Sequence, residues 1–274
     1  MSFWKRVFSK QKRSVPGWTQ EARHLSYQCA AVQGIGARDY QEDAWKLVNA
    51  DDVTAAKRQG LLAMVADGMG GMQGGALASA TGIQTMAADF SCMDRTMPIA
   101  PQLKDSLLRA SKEVYRRLDG YGGSTMIACM LYEEQLFYAG LGDSYLYLLR
   151  DHALVRINRE QTVLQGHRMT RVRCGEMDVR AFGGVSQPEA VTGFLGLQNT
   201  EDVDWLRRGL PLKNGDVLLL CSDGVGGVLS ENEIRACMRC SSAGDAAAAL
   251  KQGVLGKSLA HQDNFTAIVI QCIK

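Results

Sequence analysis

Four aspartates stand where carboxylates could do chemistry together. Asp67, Asp143 and Asp223 fall at or near the ends of the apolar runs Leu61–Ala66, Phe137–Leu141 and Val217–Cys221, and Asp263 immediately precedes a fourth run, Phe265–Ile270. Carboxylates gathered at the rim of a buried sheet repel one another and resist desolvation unless something compensates, and a bound divalent cation is the usual remedy. With only four His in the chain and no Cys cluster, oxygen ligands point to a hard ion, Mg²⁺ or Mn²⁺, rather than zinc. Gly68 and Gly224 follow two of the aspartates and let the backbone turn tightly beside such an ion. A single Asp-Gly after a strand is by itself only a turn signal. Four such sites, joined by Glu42-Asp43 and by the run Asp67-Gly-Met-Gly-Gly71, are hard to ascribe to turns alone.

These residues need a sheet to hold them. The chain has 274 residues, 46% hydrophobic and 22% charged, enough to bury a sizeable core. Its apolar runs are short and strand-like: Tyr27–Val32, Leu61–Ala66, Thr125–Leu131, Gln135–Ala139, Tyr145–Leu149, Ala153–Ile157, Asp216–Cys221 and Phe265–Cys272. Glu133-Glu134 and Arg150-Asp151-His152 each link two runs closely, which predicts hairpins and antiparallel pairing. Helical spacing appears in separate blocks. Leu103, Leu107, Val114 and Leu118 recur at steps near 3.6, Gly75–Phe90 is similar, Ser230 and Glu233 have the form of a capping box, and Asp245–Ala260 is Ala-rich. Hairpinned strands with helices in separate blocks predict the α+β class. Between Asn158 and Leu206 the periodicity fails, and this Gly- and Arg-rich stretch, 158–206, is expected to contain a flap.

Composition excludes several roles. A formal net charge of +2 is too small for a whole-protein nucleic-acid binder, and Lys5, Arg6, Lys10, Lys12 and Arg13 concentrate the basic surplus at the start. Phe3, Trp4, Val7 and Phe8 would share one face of a short helix there, which opens contact with an anionic membrane surface or a partner. The plainer expectation is a flexible basic arm over residues 1–20, ahead of one domain over 21–274. No apolar stretch reaches the length of a membrane span, and the start lacks a secretory pattern, so a reducing cytoplasm is the expected compartment for the eight Cys. Cys237 and Cys240 form a lone CxxC without a second pair, read as two thiols on a helix rather than a zinc or redox site.

In order and content, Arg38-Asp-Tyr-Gln-Glu-Asp43, Val65-Ala-Asp-Gly-Met-Gly-Gly71, Gly122-Gly-Ser-Thr125, Gly142-Asp-Ser144, Ser222-Asp-Gly224 and Asp263-Asn264 resemble the metal-dependent protein serine/threonine phosphatases of type 2C, in their bacterial form. The resemblance runs from about Tyr27 to the C-terminus. It implies an αββα sandwich of two antiparallel sheets flanked by helices, with two Mn²⁺ or Mg²⁺ at one end. By resemblance Asp67 would bridge both ions, the Gly68 carbonyl would bind one, Asp223 and Asp263 would hold the other, and Asp43 would support the pair. Glu42 would lie in the outer shell, Asp143 would contribute to a weaker third site, and Arg38 would grip the substrate phosphate, for which a planar guanidinium fork is suited.

The implied activity is hydrolysis of phosphoserine and phosphothreonine in proteins by in-line attack of a metal-bridging hydroxide, opposing a bacterial Ser/Thr kinase, by a monomer. The chain departs from the family in places. Met69 stands where many eukaryotic relatives carry His and cannot donate a proton, Gln41 replaces the usual Asn, and Tyr145 replaces the Arg that commonly follows Gly-Asp-Ser. The segment Asn158-Arg-Glu-Gln-Thr162 is a degraded form of a family motif, while Thr192-Gly-Phe-Leu-Gly196 still resembles the motif beyond the flap. Two competing readings follow: a weak pseudophosphatase that binds a phosphoprotein or kinase, and a two-metal phosphodiesterase acting on nucleic acid, which the absence of a basic stripe disfavours.

Overall fold

The computed structural model describes residues 24–69, 73–173, 186–200 and 202–274. The basic arm expected over 1–20 lies outside these residues, as do Gly70, Gly71 and part of the expected flap, 174–185.

Two antiparallel sheets carry the fold. One contains β1 (Ser26–Gly34), β13 (Phe265–Ile273), β12 (Val217–Cys221), β8 (Tyr145–Arg150) and β9 (Ala153–Arg156), in that spatial order. The other runs β10 (Asp204–Trp205), β7 (Gln135–Leu141), β6 (Met126–Tyr132), β3 (Leu61–Ala66), β2 (Ala44–Val48), with β11 (Leu210–Pro211) also paired to β7. A short ribbon pairs β4 (Gly68–Met69) with β5 (Gly123–Ser124). Both hairpins expected from spacing are present, turning through positive φ at Glu133, Glu134, Asp151 and His152.

The central strands are apolar throughout because both faces are covered. In β3, Leu61, Ala63 and Val65 enter the core between the sheets, together with Ile127, Leu146, Leu218 and Ile268, whereas Leu62, Met64 and Ala66 face helices. Those helices are α2 (Gln73–Cys92) and α3 (Ile99–Leu118); Leu103, Leu107, Ala110 and Val114 of α3, one face at helical spacing, are fully buried there. On the other sheet, Val217, Leu219 and Cys221 of β12 pack beneath α5 (Asp223–Gly226), α6 (Glu231–Met238) and α7 (Ala243–Gly256). Helix, sheet, sheet, helix is the αββα sandwich of the α+β class. Ser230 and Glu233 form the capping box that starts α6, with Ser230 N–H donating to Glu233 Oε2 at 2.9 Å.

Three elements correct the sequence reading. The edge strand β2 and the short helix α1 (Val53–Gln59) were not foreseen: β2 carries a half-exposed mix, and no residue of α1 is buried, so neither shows a clean apolar period. The stretch expected to be irregular holds α4 (Val163–Arg173), which likewise buries no residue and leaves no stripe for periodicity to reveal. Within the stretch Thr162 bridges Val191, and Leu195 ties the stretch to Ser124 of β5. Among the described residues no helix is long and apolar enough to cross a membrane.

Candidate active site

Strand register brings the acidic positions to one end. Cys221 pairs with both Ala267 and Tyr145, so Asp143, Asp223 and Asp263 all lie just past the same edge of one sheet. Ala66 pairs with Ala44, which sets Asp67 and Asp43 past the matching edge of the other. All the aspartates singled out by sequence thus converge.

Asp43 joins the two sheets. It is buried, and its Oδ2 accepts hydrogen bonds from Ser222 Oγ at 2.8 Å and Thr266 Oγ1 at 2.7 Å. Each hydroxyl is aimed by a further donor, the Thr266 N–H on Ser222 Oγ and the Gln33 amide on Thr266 Oγ1. Gln41 keeps a structural role: its Oε1 accepts the Asp43 N–H at 3.0 Å, and its amide donates to the Gly34 carbonyl. Burial pushes the Asp43 pKa up to about 6, against the pull of the two hydroxyls, with Asp223 and Asp263 adding repulsion.

The other carboxyls share this strain. Asp67 is held well above the ordinary carboxylate range by burial first, then by the charges of Asp43 and Asp223. Asp223 is also raised by burial. Asp143 is pushed up to about 6, again by burial and then by the charge of Asp223. Glu42 is raised by burial, while its backbone is pinned by Asn264 Oδ1, which accepts its N–H at 2.7 Å, and by Ser79 Oγ, which donates to its carbonyl at 2.6 Å. Arg38 Nη2 lies 2.6 Å from Asp263 Oδ2, with both side chains about half exposed.

The backbone at Asp67 is equally constrained. Thr125 Oγ1 accepts the Asp67 N–H at 3.1 Å, Ser124 Oγ donates to the Asp67 carbonyl, and Thr125 shares a hydroxyl bond with Ser144 beside Asp143. At Gly68 a Cβ would sit 2.3 Å from the Gly75 carbonyl oxygen and 2.7 Å from that of Glu42, so only glycine fits. Met69 pairs with Gly123 in the short ribbon.

Among the described residues no three His, Cys, Asp or Glu side chains stand as a closed metal cage. The fit to a cation rests on unspent acceptors. Glu42 Oε1, Asp43 Oδ1 and Asp223 Oδ1 are buried oxygens with no hydrogen-bond partner, in a cluster of carboxyls that burial and mutual repulsion hold away from their ordinary ionisation. Oxygen-only donors with buried lone pairs suit Mg²⁺ or Mn²⁺. Ser222, Thr125 and Ser144 entered the sequence reading only as members of motifs; the structure gives them partners. Thr266 and Gln33 were missed. A fully buried Thr inside the apolar strand Phe265–Ile270 was the available signal.

The family model for protein phosphatase 2C matches residues 41–253, which include Glu42, Asp43, Asp67, Asp143 and Asp223. The chain belongs to this family of metal-dependent protein serine/threonine phosphatases. Among type 2C relatives, the serine/threonine phosphatase stp of Listeria monocytogenes is 26% identical over 186 residues, 65% of this chain and 71% of that protein. The serine/threonine protein phosphatase PstP of Mycobacterium tuberculosis is 29% identical over 234 residues, covering 82% of this chain and 42% of that one. A solved catalytic domain of PstP, in complex with two manganese ions, superposes with a TM-score of 0.72 at 23% identity over 92% of this chain and all of that domain. The type 2C sandwich is therefore the fold of this chain.

Proposed function

We propose that this phosphatase removes phosphate from phosphoserine and phosphothreonine in proteins, opposing a Ser/Thr kinase, at the rim formed by Asp43, Asp67, Asp143, Asp223 and Asp263. The observation that carries the reading is the set of buried, unpartnered oxygens on Glu42, Asp43 and Asp223. Asp67, the Gly68 carbonyl, Asp223 and Asp263 would hold two Mn²⁺ or Mg²⁺, Asp43 would support them from behind, and Asp143 would serve a third. Such ions supply an acidified water as nucleophile and neutralise charge on the phosphoryl group.

The chain's own residues do the rest. Asp43, fixed by Ser222 and Thr266, holds the rims of the two sheets at a constant spacing. Arg38 offers a planar, permanently charged fork beside Asp263, and the ion pair orients it for two phosphoryl oxygens. Met69 has no proton to give, so β4 supplies no acid to the leaving alkoxide.

The test is phosphate release from a phosphothreonine peptide with Mn²⁺, with Mg²⁺ and after chelation, beside Asp67→Asn. Metal-dependent release that vanishes in the variant supports the reading. No release from folded, metal-bound protein would sink it in favour of a phosphoprotein-binding pseudophosphatase.

A further inference from the structure

Arg156 lies outside every motif that marked the site, yet it reaches the main chain of one of its aspartates. Its Nη2 donates to the main-chain carbonyl of Asp143 at 2.9 Å and, at longer range, to that of Ser144 at 3.4 Å. Nη1 meets Glu160 Oε1 at 3.1 Å, and Nε meets Asn158 Oδ1 at 3.3 Å. The flat face of the guanidinium covers the ring of Tyr145, with Cζ 3.8 Å from the ring centre. Only a fifth of the Arg156 side chain is exposed, so these are not the loose contacts of a surface ion pair.

The Tyr145 ring carries the connection further. It stacks on Tyr147, and at Gly226 of α5 a Cβ would fall 2.4 Å from it, so the ring lies flush against the helix that begins with Asp223. Asn158 reinforces the same loop: its amide donates to the Ser144 carbonyl and its oxygen accepts the Leu146 N–H, both at 2.8 Å. Asp143 sits in a tight link between β7 and β8, where the direction of its carboxylate follows its main chain.

The resemblance to type 2C phosphatases implies an Arg at the position held here by Tyr145. We propose that Arg156 is the positioning residue for Asp143: the cation absent from position 145 is returned from the end of β9, laid on the tyrosine that replaced it, and used to fix the Asp143 backbone for a divalent cation. The inference rests on the reading of Asp143 as a ligand of the weaker, third ion. Glu160 and Asn158, in the segment that departs from the family motif, become the holders of Arg156, which gives that departure a physical reason.

The experiment is Mn²⁺ titration of the full chain by calorimetry, with thermal melting alongside, for wild type, Asp143→Ala, Arg156→Gln, Arg156→Lys and the exchange Tyr145→Arg with Arg156→Gln. Wild type is expected to show a weak binding event that Asp143→Ala deletes. Arg156→Gln should weaken that event by about 10–100-fold while leaving the tighter events in place, as expected when a residue orienting a ligand is lost. Arg156→Lys keeps the charge without the fork and should fall between; it also carries the test if the glutamine variant does not fold. The exchange should restore the weak event, and its failure overturns the equivalence of the two positions. An Arg156→Gln titration equal to wild type, or one weakened equally at all events, overturns the positioning role. If Asp143→Ala titrates as wild type does, the third-ion reading fails and takes the inference with it, whatever Arg156→Gln shows.

Discussion

Asp67 and Asp223 crowd one another at the rim: after burial and Asp43, the charge of Asp223 helps hold the Asp67 carboxyl well above the ordinary carboxylate range. Two mutually repelling, buried aspartates are a cost to the metal-free protein that a bound cation would relieve. Asp67→Asn should therefore reduce peptide dephosphorylation to background while raising the melting temperature of metal-free protein, at about 2–4 °C per kcal/mol for a chain near this size. Phosphate release and a melting curve decide it; turnover near the wild-type rate in the variant would displace the site.

The pH dependence of stability carries a sign. Asp43 and Asp143 titrate near 6 in the folded protein, above their ordinary 3.8, so the metal-free fold binds these protons more tightly than the unfolded chain. Their contribution is complete below about 3.8 and is lost as pH rises through about 6. Metal-free wild type should melt lower at pH 7.5 than at pH 5, Asp43→Asn should flatten that fall, and Mn²⁺ should stabilise wild type more at pH 7.5 than at pH 5. Parallel melting curves for wild type and Asp43→Asn across this window would refute the assignment.

Arg38 and Asp263 form a half-exposed pair. Such pairs contribute about 0–1 kcal/mol, so Arg38→Ala should leave chemical denaturation almost unchanged while kcat/KM on a phosphopeptide falls. Arg38→Lys should rescue little, because an ammonium cannot span two phosphoryl oxygens as the planar fork does. Full activity in Arg38→Lys would show that only the charge matters.

Gly68 has backbone oxygens where a side chain would go. Gly68→Ala forces main chain against main chain at Gly75 and Glu42, neither of which is the far end of a flexible side chain. A loss of about 1–3 kcal/mol in urea unfolding is expected, with weaker Mn²⁺ binding. An unchanged urea midpoint would mean that the turn between β3 and β4 yields.

Much of this molecule is legible in the sequence for a reason visible in β3 and α3. Leu61–Ala66 is apolar at every position because a core lies on each side, and the spacing of Leu103, Leu107 and Val114 reports a single buried helix face. Where burial is absent the sequence is silent. Helix α4 in the expected flap buries nothing, β2 is a half-exposed edge, and neither leaves a periodic trace.

The site divides along the same line. An Asp at the end of an apolar strand can be read from one segment, so Asp67, Asp143, Asp223 and Asp263 were found by sequence alone, and Asp43 through its motif. What those residues touch depends on register between strands far apart in the chain. Only the pairing of Cys221 with Tyr145 and Ala267, and of Ala66 with Ala44, aligns the rims and lets Ser222 and Thr266 meet on one oxygen of Asp43. The sequence by itself determined which carboxylates are present and that they end strands, because those are local properties of residue type and burial. The tertiary structure alone decided which oxygens are left without partners and which hydroxyls hold Asp43, because those follow from distances between segments that no local pattern records.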